Sequence, residues 1–257
     1  MVTMLQNIDR IRGMKQAGRK IAALTAYDYP TARILDEGGI DIILVGDSLG
    51  MVVLGFPDTT SVTMEHMVHH TAAVSRGVKS ALVVADMPIG SCASPEAALA
   101  NARRLIEAGA GAVKIEGAHS EEIRAIVEGG IPLMAHLGML PQLVREEGGY
   151  HVKGRTDDEA SALVDQARAV EGAGAFAMVL ELVQAEVAGR ISETVGLPTI
   201  GIGSGPACDG QILVTHDLIG LFPWFRPRFA RPEADVAGQM TAAVSAYRER
   251  VQGAAGV

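Results

Sequence analysis

The amino-acid sequence predicts an α/β fold in which eight parallel strands alternate with helices and close into a (β/α)₈ barrel. The 257 residues match the roughly 250 that one such barrel needs. The short aliphatic runs are continuous rather than alternating, which is typical of parallel strands covered on both faces. Glycine pairs such as Gly38-Gly39 and Gly129-Gly130 precede these runs, as expected where a helix ends and a strand follows.

Eight aliphatic runs recur along the chain and are the predicted strands. They lie at Ile21 to Thr25, Ile42 to Val45, Ala81 to Ala85, Ala112 to Ile115, Ile131 to Ala135, Phe176 to Leu180, Pro198 to Ile202 and Gln211 to Val214. Eight parallel strands with helices between them favour a closed barrel.

Helix-like stretches separate most of these runs, and Ser94-Pro95 is a helix start signal with a capping hydroxyl before a first-turn proline. The predicted helices are Thr31 to Glu37, Met64 to Arg76, Pro95 to Glu107, Glu121 to Glu128, Asp157 to Glu171, Ala185 to Val195 and Ala234 to Val251. No linker or low-complexity tract divides the chain. We therefore expect a single barrel domain over residues 1–257, with a short N-terminal extension and a C-terminal helix.

Composition excludes several classes of function. The formal net charge is −8, and no basic run is interleaved with aromatics, so nucleic acid is not an expected partner. No apolar stretch reaches the ~20 uninterrupted residues that a membrane span needs. Cys92 and Cys208 lack metal-ligand spacing, and the N-terminus carries no signal-peptide pattern, so a reducing cytoplasm is expected.

Polar or ionisable residues end the predicted strands two to six. They are Asp47, Asp86, Lys114 with Glu116, His136 and Glu181. Taken alone, an Asp or Ser after a strand is about as often a helix cap as a functional group. Six in succession favour one pocket, because the C-terminal ends of barrel strands meet at a single rim.

The chemistry of these side chains points to a hard divalent cation. Lys114 and Glu116 lie two apart and so share one strand face, which we expect to be the pocket face. Carboxylates with few cysteines favour Mg²⁺, and Asp47 and Asp86 are the best ligand candidates. Glu116 could bind the ion directly or through water. His136 could contact substrate or serve as a structural hydrogen-bond donor.

Two other motifs favour structural interpretations. His66, His69 and His70 have helical spacings that could bind zinc, but neighbouring apolar residues favour an ordinary packed helix. The segment 201–205, Gly-Ile-Gly-Ser-Gly, resembles a phosphate-binding loop, yet Pro206 follows at once and the dinucleotide spacing is wrong. We interpret it as a tight turn.

Segments spread along the chain resemble the ketopantoate hydroxymethyltransferase family, in the same order and nearly from end to end. They are Leu24 to Tyr29, Val45 to Met51, His70 to Val74, Val113 to Gly117, Gly148 to Tyr150 and Asp209 to Gln211. The resemblance implies a (β/α)₈ barrel that transfers a hydroxymethyl group from 5,10-methylenetetrahydrofolate to α-ketoisovalerate in pantothenate biosynthesis.

Carried onto matching positions, the resemblance also implies roles for individual residues. Asp47 and Asp86 bind Mg²⁺ and contact the substrate, with Glu116 near the ion. Ser48 and Lys114 hold the substrate, Glu181 is the proton acceptor, and the protein is a homodecamer.

The sequence departs from the family pattern at residues 135–142, which usually begin with Gly and carry Leu-Thr before the proline. Two alternatives compete with the family assignment. One is a Mg²⁺ barrel of the phosphoenolpyruvate mutase and isocitrate lyase type, but the Lys-[Lys/Arg]-Cys-Gly-His lid segment of those enzymes is missing from the sequence. The other is a non-catalytic barrel, which we would expect to have lost at least one residue of the strand-end set.

Overall fold

The computed structural model describes residues 2–253, with side chains from residue 6 onward, and eight strands in it form a closed barrel. Successive strands pair in parallel from first to last. Their bounds are β1 Ile21–Thr25, β2 Ile42–Val45, β3 Leu82–Asp86, β4 Ala112–Glu116, β5 Leu133–Gly138, β6 Ala177–Glu181, β7 Thr199–Ile202 and β8 Gly210–Leu213. The predicted fold class is confirmed.

Helices connect the successive strands from β1 to β7, a loop joins β7 to β8, and all seven predicted helices are confirmed to within two residues at each end. The α-helices are α1 Val2–Gln16, α2 Tyr29–Glu37, α3 Leu49–Val52, α4 Met64–Ser75, α5 Pro95–Glu107, α6 Ser120–Glu128, α7 Asp157–Gly172, α8 Ala185–Thr194, α9 Thr215–Leu218 and α10 Val236–Gly253. Short 3₁₀ helices lie at Thr59–Ser61 and Pro141–Leu143. The expected start of α5 is confirmed, since the Ser94 hydroxyl accepts a hydrogen bond from the backbone N–H of Ala97.

Helix α1 was expected only as an extension, but it contributes to the barrel core. Ile8, Ile11 and Met14 are buried in one apolar cluster with Ile21 and Ile42, which lie at the starts of their strands. The interior near the strand starts is therefore filled by aliphatic side chains, which leaves the opposite rim for polar groups.

The strands carry two apolar surfaces that alternate residue by residue. Val113 and Ile115 belong to the cluster shared with the surrounding helices, whereas Ala112 belongs to the interior cluster. Because alternate strand residues point to opposite faces, Lys114 and Glu116 continue the inner face begun by Ala112. The prediction that this pair faces the barrel interior is confirmed.

The chain forms two compact units, the barrel unit up to Ile212 and a second unit that begins at Leu213. In the second unit, α10 has no buried residue, and four of its apolar side chains are exposed: Met240, Val244, Tyr247 and Val251. The expectation of a single domain over 1–257 stays a prediction. Across the part of the chain that the structure describes, every helix is too short or too polar for a bilayer crossing.

Candidate active site

The residues predicted from the strand ends come together at the C-terminal rim of the barrel. Five of them are almost completely buried: Asp47 4%, Asp86 3%, Lys114 3%, Glu116 6% and His136 2% exposed. The sixth, Glu181, keeps 14% of its side-chain surface exposed. Charged groups buried to this degree are costly unless they are paired, so their contacts define the site.

Asp86 joins three neighbouring strand ends. Its Oδ2 accepts a hydrogen bond from the backbone N–H of Asp47 at 3.0 Å. Its Oδ1 lies 2.7 Å from the Lys114 ammonium in a buried ion pair. The carboxylate is therefore fixed from both sides, and Asp47, Asp86 and Lys114 share one small volume.

His136 connects the two glutamates on either side of it. Its Nδ1 lies 3.1 Å from Lys114 Nζ and 3.5 Å from Glu116 Oε1, and its Nε2 lies 3.4 Å from Glu181 Oε2. A continuous series of polar contacts thus runs from Asp47 through Asp86, Lys114 and His136 to Glu181. Glu116 joins this series at His136, so that all six predicted strand-end residues take part in the cluster.

The cluster contains more carboxylates than cations, and the pKa values of its aspartates are shifted. Burial raises the pKa of Asp47 well above its usual value, and the charges of Asp86 and Glu116 raise it further. Burial also raises the pKa of Asp86, although Lys114 opposes the shift. Without a further positive charge, the acidic side chains repel one another.

The pKa values of the two basic side chains are also raised, because the neighbouring carboxylates outweigh the effect of burial. Burial lowers the pKa of Lys114, but Asp86, Glu116 and Asp47 outweigh it and the net shift is upward. Burial and Lys114 lower the pKa of His136, but the carboxylates of Glu116, 3.5 Å from Nδ1, and Glu181, 3.4 Å from Nε2, raise it to about 9. Lys114 is therefore a permanent cation at neutral pH.

Ser48 lies beside Asp47, and a residue that the sequence interpretation missed holds it. The Tyr27 phenol hydrogen-bonds with Ser48 Oγ at 2.8 Å, and the ring of His70 contacts the Tyr27 carbonyl at 2.6 Å. Tyr27 is 1% exposed. Tyr27 lies two residues after the end of β1, as Asp47 does after β2, and this position is the sequence signal that could have identified it.

The loop after β5 contributes a second missed residue, Gln142. Its side-chain amide lies 2.9 Å from Asp47 Oδ2, and its backbone N–H lies 3.1 Å from Glu116 Oε2. One of the departures from the family pattern, the loss of the threonine before the proline, falls at Leu140, the N-cap of the 3₁₀ helix, where no side-chain cap bond forms. Leu140 instead lines a cavity of about 190 Å³ that also touches Glu116 and Gln142.

The contacts of His66 and of the glycine-rich segment 201–205 agree with the structural interpretations given to these two motifs. His66 forms a reciprocal capping box with Thr63 at the start of α4. Gly203 and Gly205 adopt φ values of 63° and 77°, and Ser204 between them bonds to the backbone of Val183 and Leu180 next to Glu181. The turn supports the backbone that follows β6.

Solved structures of other proteins share the architecture of this chain. Phosphonopyruvate hydrolase, crystallised with oxalate and Mg²⁺, superposes with a TM-score of 0.66 at 14% identity, covering 96% of this chain and 88% of that one. The 2,3-dimethylmalate lyase of the phosphoenolpyruvate mutase and isocitrate lyase superfamily gives 0.61 at 19% identity, with 96% and 88% covered. Identities this low establish the fold alone. The chain is a (β/α)₈ barrel with a buried polar cluster at its C-terminal rim.

Comparison of sequences defines the family. The ketopantoate hydroxymethyltransferase profile matches residues 6–255. A 3-methyl-2-oxobutanoate hydroxymethyltransferase of Thermoanaerobacter sp. (strain X514) is 53% identical over 94% of this chain and 90% of its own length. That of Ignicoccus hospitalis (strain KIN4/I) is 52% identical over 91% and 90%. The chain belongs to the ketopantoate hydroxymethyltransferase family and is a transferase, as the resemblance implied.

Proposed function

We propose that the chain transfers a hydroxymethyl group from 5,10-methylenetetrahydrofolate to C3 of α-ketoisovalerate, using Mg²⁺ held at the strand-end cluster. The contact series from Asp47 to Glu181 carries this proposal. It supplies cation ligands, a fixed positive charge and a carboxylate base on neighbouring strands, which together can form and stabilise a carbanion next to a ketone.

The residues present fit a divalent cation. Asp47, Asp86 and Glu116 are buried together with Lys114, and burial raises the pKa of both aspartates, with a further increase from neighbouring carboxylates. No group of three or more His, Cys, Asp and Glu side chains within residues 2–253 forms a complete ligand set. Mg²⁺ commonly takes one or two carboxylates and completes its shell with water and substrate oxygens. We assign Asp47 and Asp86 as ligands, with Glu116 nearby.

A cation held there would act as a Lewis acid, worth several kcal/mol for negative charge that develops on a carbonyl oxygen. Side chains of the protein bind and orient the substrate. Lys114 attracts the substrate carboxylate into an otherwise acidic site, and Ser48, oriented by Tyr27, donates a hydrogen bond to the substrate.

Glu181 is the proposed base. Its carboxylate is the most accessible of the cluster and lies beside His136, which we assign to orienting it and the substrate. Glu181 takes the proton from C3, and the electron pair of that C–H bond passes into the keto group. C3 then forms the new bond to the one-carbon unit while both bonds from that carbon to the folate nitrogens break. Water supplies the hydroxyl oxygen of the product, and the two nitrogens take up the proton from C3 and one from water, which leaves tetrahydrofolate.

The test is product formation from α-ketoisovalerate and 5,10-methylenetetrahydrofolate, followed by mass spectrometry. Ketopantoate should appear with Mg²⁺ and disappear with EDTA, in Asp47→Asn and in Glu181→Gln. Isothermal titration of α-ketoisovalerate supplies an independent measurement, with tight binding only when the metal is present. Product formation in EDTA-treated protein would refute the metal assignment, and full activity of Glu181→Gln would refute the base.

We also propose a homodecamer in a reducing cytoplasm. The exposed apolar residues of α10 recur at spacings of four, three and four, a pattern that favours packing against another helix. Both cysteines are free thiols, which fits a reducing compartment. Mass photometry should give ten copies, and Val244→Glu should give smaller species. An unchanged mass in that variant would exclude α10 from the contact.

A further inference from the structure

Gln142 lies in the loop after β5, yet it contacts the ends of three other strands. Its Nε2 donates to Asp47 Oδ2 at 2.9 Å and to the carbonyl oxygen of Met87 at 3.0 Å. Its backbone N–H donates to Glu116 Oε2 at 3.1 Å. The residue therefore touches two of the three carboxylates placed around the ion.

The orientation of its side-chain amide follows from its neighbours. Asp47 Oδ2 and Met87 O are both acceptors, so the NH₂ end must face them and both of its hydrogens are used. The residue is held in place by the 3₁₀ helix Pro141–Leu143, in which Val144 N–H bonds to Pro141 O. A hydrogen-bonded turn therefore carries the amide beside Asp47 and Met87.

This arrangement gives the two oxygens of Asp47 different surroundings. Oδ2 is occupied by Gln142, whereas no hydrogen bond reaches Oδ1 from any side chain or backbone group that the structure describes. A carboxylate with one oxygen fixed can rotate little, so the other oxygen is held in one direction. Groups that orient ligands in this way commonly change metal affinity by 10- to 100-fold when they are removed.

We propose that Gln142 is a positioning residue that fixes Asp47 through Oδ2 and so presents Oδ1 to the divalent cation. The inference rests on the proposed metal site. Its backbone bond to Glu116 adds a second constraint on the same ion's surroundings, and that bond survives any substitution of the side chain. Changing the side chain therefore isolates the contact with Asp47.

The experiment measures binding of Mn²⁺ alone to the full chain, from the loss of the free-ion signal in electron paramagnetic resonance. Gln142→Met keeps the length of the side chain and removes both donors, and Gln142→Ala avoids any steric conflict of the longer replacement. We expect both variants to bind Mn²⁺ 10- to 100-fold more weakly. In turnover assays the Mg²⁺ concentration needed for half-maximal rate should rise by a similar factor, and saturating Mg²⁺ should restore most of kcat.

The matched control is Gln211→Met, because Gln211 also donates from Nε2 to a backbone carbonyl, that of Gly205, but is exposed. Its Mn²⁺ affinity should be unchanged. Binding is measured at a temperature where circular dichroism shows each variant folded. A general structural defect would lower kcat without rescue by Mg²⁺, which would overturn the inference.

Asp47→Asn separates failure of the inference from failure of the metal site. If Asp47→Asn loses Mn²⁺ while both Gln142 variants bind within twofold of wild type, the metal site stands and the role of Gln142 is refuted. If wild type binds no Mn²⁺, or Asp47→Asn binds it normally, the proposed metal site is wrong and the role of Gln142 falls with it.

Discussion

Removal of the Lys114 ammonium is the most informative perturbation of the buried cluster. Lys114→Met keeps the length and the apolar stem of the side chain but leaves Asp86, Asp47 and Glu116 without their permanent cation. The substitution should therefore destabilise the fold as well as abolish turnover.

The magnitude follows from the geometry. At 2.7 Å and an effective dielectric of about 20, the attraction between Lys114 and Asp86 is roughly 6 kcal/mol. Part of this offsets the desolvation of the two groups, and breaking a buried pair by removing one partner typically costs about 3–5 kcal/mol. For a chain of this size, that loss corresponds to a Tm lower by roughly 6–20 °C.

The assay is thermal unfolding at pH 7 with chelator, followed by circular dichroism, with and without added Mg²⁺. Arg33→Met is the control, since its ion pair with Glu37 lies on the surface and its loss should leave Tm unchanged. Mg²⁺ should recover part of the lost Tm in Lys114→Met, because a bound cation stabilises the folded state and replaces the missing charge. A Tm within 2 °C of wild type in chelator would refute the electrostatic reasoning.

Three further predictions concern residues around the cluster. His136 has a folded-state pKa of about 9 against about 6.5 unfolded, so its few kcal/mol of stability are complete below pH 6.5 and lost as pH rises through 9. The Tm of chelated wild type should fall over that interval, and in His136→Gln this contribution should be missing. Gly138→Ala should lower kcat and cost about 1–3 kcal/mol, measured by urea unfolding, because φ is 97° and a Cβ would overlap the Glu181 carbonyl. A wild-type kcat in Gly138→Ala would contradict this prediction, because it would show that displacement of the Glu181 backbone leaves catalysis unaffected. Tyr27→Phe removes the hydrogen bond to Ser48. The variant should raise KM for α-ketoisovalerate about 2- to 12-fold with little change in kcat. An unchanged KM would refute the role of Ser48 in substrate binding.

Most of the barrel could be predicted because its strands are buried on both faces and read as uninterrupted aliphatic runs. The first two strands match the prediction at both ends, and β8 is displaced by one residue toward the N-terminus. Helix α1 was missed because the buried side chains that the structure describes in it, Ile8, Ile11 and Met14, stand among charged residues. Helix α3 has four residues, too few for any periodicity.

The site residues at the ends of strands could be predicted from the sequence. Those that reach the site from loops could not. Parallel pairing in a closed barrel brings Asp47, Asp86 and Lys114 to one rim wherever the intervening helices lie. Gln142 reaches the same rim from a loop whose path depends on Pro141 and on backbone bonds that no sequence pattern specifies. The side-chain pairing of Tyr27 with Ser48 likewise emerges only when β1 and β2 are adjacent.

Exchange of the C3 proton of α-ketoisovalerate with D₂O, followed by proton NMR without folate, tests most directly whether the rim cluster makes that carbon ionisable. The proposal predicts exchange by wild type with Mg²⁺, none in chelator, and none in Asp86→Asn or Glu181→Gln. Equal exchange rates with and without the metal, or normal exchange in Glu181→Gln, would contradict it.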